Sequence, residues 1–145
     1  DSNITEYVNE VMNEAERISL IVKNLLQFSN VEMEDYSYKN VENIIQLTVS
    51  LIKTIIKNDQ IDFQVNIPQN LPMVKCRSQQ LQQVLMNLLI NAKEALNEKY
   101  TGFNSDKKLL LSCSTISKTN QKWVRITLED HGIGIKEIYK FFDFI

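Results

Sequence analysis

Hydrophobic residues at the start of the chain recur at alternating spacings of four and three. This seam comprises Ile4, Val8, Val11, Ala15, Ile18, Val22 and Leu25. The spacing predicts one helix over residues 1–30, with an apolar stripe of the kind found in helical bundles. A lone amphipathic helix cannot bury such a face, so it needs a partner. Packing onto the rest of the chain is the alternative, although the seam is nearly seven turns long.

A second helical pattern over residues 78–98 organises the middle of the chain. Its apolar face is formed by Leu81, Val84, Leu85, Leu88, Leu89, Ala92, Ala95 and Leu96. Ser78 is a candidate N-cap, because its hydroxyl can accept from an orphan N–H of the first turn. Asn87 and Asn91 interrupt the apolar face four residues apart, which puts their carboxamides on one side. They are either solvated residues on the helix edge or oxygen ligands for a bound ion such as Mg²⁺.

The remaining pattern predicts several strands and one further helix. Residues alternate between apolar and polar over 61–67, 109–117 and 122–129, and shorter strand-like segments lie at 36–39 and 73–76. The last two long strands should form an antiparallel hairpin with a four-residue loop at 118–121. Residues 43–57 form a broadly apolar helix. These elements predict an α+β fold, a two-layer α/β sandwich in which helices 43–57 and 78–98 cover one face of a mixed or antiparallel sheet.

The strand at 122–129 runs into the sequence Asp130-His131-Gly132-Ile133-Gly134. Two glycines two residues apart let the backbone adopt positive φ and let a ligand approach closely. A carboxylate at a strand end can accept a hydrogen bond from an exocyclic amine. By itself this D-x-G-x-G pattern is weak, since it is often only a turn.

Together the two stretches resemble the nucleotide-binding domain of sensor histidine kinases, within the wider group of Bergerat-fold ATPases. LQQVLMNLLINAKEAL is similar to that family's N box, and DHGIGI is similar to its first glycine box. The resemblance implies that Asn91 ligates a Mg²⁺ ion on the ATP phosphates, with Asn87 beside it. It also implies that Asp130 binds the adenine amino group and that Gly132 and Gly134 shape the adenine pocket.

Further roles follow from the resemblance for residues after the N box. Lys99 and Tyr100 would contact phosphate and ribose. Within the N box, Glu94 is a candidate catalytic residue alongside Asn87; either Glu94 or a carboxylate of the bundle would act as the general base, and the sequence does not decide between them. Residues 1–30 resemble the second helix of the family's dimerisation bundle, which implies a homodimer. Residues 31–145 would form the ATP-binding domain, without a recognisable lid or second glycine box, because no glycine follows Gly134. The phosphoacceptor histidine belongs on a preceding helix, and His131 is expected to be a loop side chain.

Composition narrows the remaining possibilities. A net charge of −2 gives no reason to expect a nucleic-acid partner. There is neither a membrane-spanning apolar run nor a signal peptide, so a cytoplasmic location without direct membrane contact is expected. This expectation leaves open a membrane anchor upstream in the parent protein. Cys76 and Cys113 show no metal-ligand spacing, and both are expected to be strand residues in a reducing compartment.

Three functions are therefore weighed. The first is the ATP-binding catalytic portion of a histidine protein kinase that uses ATP and Mg²⁺, autophosphorylates its bundle and signals to a response regulator. The second is a degenerate dimeric module that docks a response regulator without using ATP. The third, another Bergerat-type ATPase, is disfavoured because those enzymes typically have Glu where this chain has Asn87.

Overall fold

The computed structural model describes residues 2–29 and 35–134, and side chains in these ranges except those of 24–29. Its elements are α1 (Ser2–Ser29), β1 (Ser37–Lys39), α2 (Val41–Asn58), β2 (Asp62–Asn66), β3 (Val74–Cys76), α3 (Ser78–Lys99), β4 (Lys108–Lys118) and β5 (Gln121–Asp130). The three predicted helices are all present, and each end lies within two residues of its predicted position. Among the helices of the described part, none has the length and apolar character needed to cross a membrane.

The strands form two separate sheets. The larger has the order β2-β4-β5, in which β2 runs parallel to β4 and β4 runs antiparallel to β5. The smaller pairs β1 with β3 in antiparallel fashion. The predicted α+β fold with a mixed sheet is confirmed, but the division of the strands into two sheets was not predicted.

Helices α2 and α3 pack on one face of the larger sheet. Leu109, Leu111 and Cys113 alternate along β4 and are all buried. They meet the buried faces of the two helices in two neighbouring clusters, whose helical members are Val41, Ile45, Ile52, Ile56, Leu85, Met86, Leu89, Ala92 and Leu96. Partly buried Leu128 from β5 contacts both clusters. The helices and the sheet therefore share one continuous core, as the two-layer prediction required.

Helix α1 joins this core through a single described residue. Leu20 is 9% exposed and packs in the cluster that holds Ile52 and Leu89. The seam itself remains open: Ile18 is 59% exposed, and Ile4, Val8, Val11 and Val22 are exposed as well. The side chain of Leu25 and the predicted domain boundary between residues 30 and 31 lie outside the described residues.

Two local predictions were wrong. Helix α3 begins at Ser78, but its N-cap is Arg77, which makes no capping hydrogen bond through its side chain. The β4–β5 hairpin turns on two residues rather than four. Thr119 and Asn120 have φ of 50° and 59°, as a type I′ turn requires at both central positions. That turn matches the twist of the strands and lets their ladder continue to Lys118 and Gln121.

Candidate functional site

One edge of α3 carries four residues at a constant spacing of four, Asn87, Asn91, Ala95 and Lys99. Each step of four rotates the side chain by only about 40° around the helix and advances it by about 6 Å, so neighbouring members lie one above the other. Asn87 and Asn91 are exposed. Their exposure is compatible with both readings offered by the sequence, solvated edge residues or oxygen ligands for an ion, and a ligand can reach both carboxamides.

The loop after β5 lies directly against this edge at Gly132. A Cβ added to Gly132 would be 2.8 Å from the Cβ of Ala95 and 2.9 Å from its carbonyl carbon. It would also be 2.7 Å from Oδ1 of Asp130. Real Cβ contacts are longer than this, so the loop can approach the helix only because residue 132 is glycine and residue 95 is small.

Two hydrogen-bonding arrangements fix the same loop. The backbone N–H of Gly132 donates to Oδ1 of Asp130 over 2.9 Å. The ammonium of Lys99 donates to the carbonyl oxygen of His131 at 2.9 Å and to that of Gly132 at 3.2 Å. The structure thus brings the end of β5 onto α3 between Ala95 and Lys99, one turn away from Asn91.

The other predicted site residues are less closely joined to this point. Asn87 lies two turns before Ala95 on the helix. Gly134 has the positive φ that the sequence suggested, 75°, and a Cβ there would meet nothing within 4 Å. His131 is an exposed loop residue, as predicted, with its Nε2 3.7 Å from Glu129.

Tyr100 and Glu94 face other parts of the molecule. The ring of Tyr100 packs against the core and lies 5.2 Å below the Lys99 ammonium. Glu94 is half exposed, and its carboxylate is 3.7 Å from the guanidinium of Arg17 on α1. It is therefore the predicted site residue that stands next to the long N-terminal helix. The expected contacts of Lys99 and Tyr100 with a nucleotide and of Glu94 with a proton stay predictions.

Sequence reasoning missed the structural importance of Ala95 and Asp59. Ala95 was taken only as part of the apolar face, although its spacing of four from Asn91 is a signal that it lies on the same edge. Asp59 follows α2, and its Oδ2 accepts from Lys93 at 2.9 Å and from Asn97 at 2.7 Å. Its position in an apparent break between elements gave no signal of these contacts.

A metal ion at this site would need ligands from water and phosphate as well as from the protein. Within the described residues, no group of three or more His, Cys, Asp and Glu residues could hold a metal ion. Mg²⁺ prefers oxygen ligands and commonly takes only one or two from a protein, with water and phosphate completing its shell. The exposed carboxamide of Asn91 fits that mode of binding.

A cavity of about 270 Å³ lies elsewhere, between α1 and the helices beneath it. Leu20 and Lys23 of α1, Leu51 and Ile55 of α2, and Met86 of α3 contribute to its lining. None of its lining residues belongs to the predicted nucleotide site. The chemistry of the loop at Gly132, rather than the size of this cavity, therefore identifies the candidate site.

The chain is 28% identical over 131 residues to sporulation kinase E of Bacillus subtilis. It is 26% identical over 130 residues to the signal transduction histidine-protein kinase AtoS of Escherichia coli, and 29% identical over 138 residues to the adaptive-response sensory kinase SasA of Prochlorococcus marinus. Its homologues are histidine kinases.

The matches to histidine kinases cover 90–93% of this chain but only 16%, 20% and 35% of the three relatives. The solved structure of the Acinetobacter baumannii histidine kinase AdeS shares the fold, with a TM-score of 0.56 at 20% identity over 89% of this chain and 60% of that one. No protein-family model matches the chain. The resemblance to histidine kinases that the two motifs predicted is confirmed.

Proposed function

We propose that this chain is the ATP-binding catalytic portion of a sensor histidine kinase, which transfers the γ-phosphoryl group of ATP to a histidine on its helical bundle and signals to a response regulator. The observation that carries the proposal is the contact of Gly132 with Ala95. It sets the carboxylate of Asp130 beside the helix edge that bears Asn91, so a base-binding group and a phosphate-end ligand lie on adjoining surfaces.

Asp130 is the residue proposed to read adenine. One carboxylate oxygen already accepts from the Gly132 N–H, which leaves the other to accept from the exocyclic amine of the base. A base that presents a carbonyl at that position cannot donate, and it leaves the carboxylate unpaired. The expected preference for ATP over GTP is about 1–3 kcal/mol, or roughly five- to 150-fold.

Asn91 is proposed to offer its carboxamide oxygen to Mg²⁺ on the phosphates, with Asn87 one turn away on the exposed edge. The metal supplies charge neutralisation, which together with positioning accounts for most of the catalysis of phosphoryl transfer. Glu94 is two turns from Asn87 on nearly the same side of α3, and its neighbour Arg17 belongs to α1. That location supports Glu94 as the candidate base.

The exposed seam of α1 supports the remaining part of the proposal. We infer that residues 1–30 form the dimerisation helix and residues 31–145 the ATP-binding domain. The seam residues described above stay exposed although Leu20 is packed, so the domain does not use the face that a second copy would cover.

The test is a titration of the full-length protein with ATP and GTP. Asp130→Asn should weaken ATP binding at least tenfold. The neutral amide oxygen is a weaker hydrogen-bond acceptor than a carboxylate, and the amide NH₂ group would place a donor where an acceptor is needed. The matched control is Asp62→Asn, since Asp62 is an exposed strand carboxylate whose described side-chain partner is the nearby Gln64. Asn91→Ala should reduce phosphoryl transfer and its Mg²⁺ dependence more than binding of the base. Equal affinity for ATP and GTP would instead favour a docking module that does not use nucleotide.

A further inference from the structure

The peptide group between His131 and Gly132 is hydrogen-bonded on both sides. Its carbonyl oxygen accepts from the ammonium of Lys99 at 2.9 Å, and its N–H donates to Oδ1 of Asp130 at 2.9 Å. The described chain has no cis peptide bond, and in a trans peptide the C=O and N–H point in opposite directions. Lys99 and Asp130 are therefore connected through a single rigid unit.

We propose that Lys99 is a positioning residue for the adenine-reading carboxylate and acts through this peptide. This inference rests on the proposed function, because it assigns Lys99 a role in base selection. The role differs from the phosphate contact that the resemblance implies. Of the three N–H donors of the ammonium, two are directed to the loop carbonyls of His131 and Gly132.

The second of these hydrogen bonds removes the freedom that glycine gives to the loop. Gly132 has no side chain to restrict its backbone, and such a residue has many conformations available. A single cation that binds the carbonyls before and after its Cα fixes the relative orientation of two successive peptides. The Gly132 N–H is then held toward Asp130, and the carboxylate keeps one rotamer.

Electrostatics favours the same arrangement. A positive charge on a carbonyl oxygen polarises the peptide, which strengthens the donation by its N–H to a carboxylate. Lys99 lies in the last turn of α3, where the helix dipole favours a cation. Its ammonium also lies 5.2 Å from the centroid of the Tyr100 ring, and that ring packs against the core. The helix end and the Tyr100 ring thus hold the Lys99 side chain in place.

The experiment uses Lys99→Met in the full-length protein, because methionine keeps much of the stem and removes the donors. Lys75→Met is the matched control, since Lys75 lies 5.4 Å over the ring of Tyr36 in a similar cation–π contact on the small sheet. Without nucleotide, NMR should show an upfield shift of the Gly132 amide proton and solvent exchange that is roughly three- to tenfold faster in Lys99→Met. With nucleotide, the preference for ATP over GTP should fall by a similar factor.

Lys99→Arg should partly restore both the Gly132 amide signal and the preference for ATP, because the guanidinium can donate to two carbonyls. If the loss of the lysine stem were merely structural, restoring the charge would not rescue either property. An unchanged Gly132 amide in Lys99→Met would overturn the inference. A perturbed amide with an unchanged ATP preference would overturn the link to Asp130. If the unmodified protein shows no preference for ATP, the proposed function fails instead, while the nucleotide-free spectrum still decides whether Lys99 orders the loop.

Discussion

Gly132 is the residue at which the end of the sheet meets α3. Replacing it by alanine puts a methyl group less than 3.0 Å from Asp130, from the Ala95 side chain and from the Ala95 backbone. We expect the loop to move off the helix, with a loss of about 1–3 kcal/mol in unfolding free energy and weaker ATP binding. Thermal unfolding and nucleotide titration of Gly132→Ala measure the two effects.

The double variant Gly132→Ala/Ala95→Gly separates the effect of the Ala95 side-chain contact from the effects of the other two contacts. It removes the contact with the Ala95 side chain but leaves those with the Ala95 carbonyl carbon and the Asp130 carboxylate. Partial recovery of nucleotide affinity is therefore expected, whereas any gain in stability is offset by about 1 kcal/mol, the cost of glycine inside a helix. Full nucleotide affinity in the single variant would show that the close approach has no role in binding.

A second prediction at this scale concerns Cys113, a buried residue of β4. Burial raises the pKa of its thiol above the usual value of 9.0. The unfolded chain loses this proton first, so it binds fewer protons than the folded state between 9.0 and the raised pKa. The contribution of the thiol to stability is then complete below pH 9.0 and decreases as pH rises through the folded pKa. Chemical unfolding on both sides of pH 9.0 should show a decrease that Cys113→Ala lacks.

Only some residues of the candidate site could be identified from the sequence. Short sequence motifs contain Asn91, Asp130 and Gly132, so the adjacent residues in the sequence identify these three. Lys99 donates hydrogen bonds to two loop carbonyls that lie 32 and 33 positions further along the chain. No local sequence pattern indicates such a contact. The small size required at Ala95 was hidden for a related reason, since alanine is also an ordinary helix-forming residue.

Helix α1 combines two surfaces on one element. Ile18 is exposed on the open seam, and Leu20 is buried against α2 and α3. Ile18→Asp should abolish dimerisation, because the dimer would bury an unpaired charge, and should leave the stability of the domain nearly unchanged. Leu20→Ala should instead cost about 2–5 kcal/mol if the site cannot collapse. Sedimentation together with thermal unfolding compares them, and a dimer that survives Ile18→Asp would contradict the assignment of the seam.

Periodicity predicted the elements well because it depends on which face is buried. It also predicted the antiparallel pairing of β4 with β5, but it did not predict how the other strands pair. The short β1 and β3 were expected to join one sheet, but they pair with each other, Tyr38 opposite Lys75. The hairpin loop was predicted two residues too long, because Lys118 and Gln121 are polar and read as loop although they belong to the ladder.

Across the whole molecule, Asp59 ties three segments that are distant in sequence. Its side chain accepts from Lys93 and Asn97 of α3, and its backbone oxygen accepts from the ammonium of Lys107 at 2.7 Å. Lys107 is only 3% exposed. Burial lowers the pKa of this lysine, Asp59 partly restores it, and Lys93 lowers it further.

Asp59→Asn should therefore lower the pKa of Lys107 further and reduce the unfolding free energy by about 1–3 kcal/mol. NMR titration of the lysine side chains and chemical unfolding measure these effects. Asp62→Asn is the control, because Asp62 is exposed and its described side-chain partner is the nearby Gln64. Equal effects of the two substitutions would mean that Asp59 is no more than another surface carboxylate.

The parallel pairing of β2 with β4 has a consequence for the order of folding. Asp62 pairs with Lys108, a separation of 108 − 62 = 46 positions, whereas the β4–β5 hairpin closes over two residues. Short loops close early, and the entropy lost in closing long ones slows the non-local pairing. The loop at Gly132, which follows this hairpin, is therefore expected to reach Ala95 of α3 late in folding. Substitutions at the Gly132–Ala95 contact should hence accelerate unfolding and leave the refolding rate almost unchanged, with φ-values near zero.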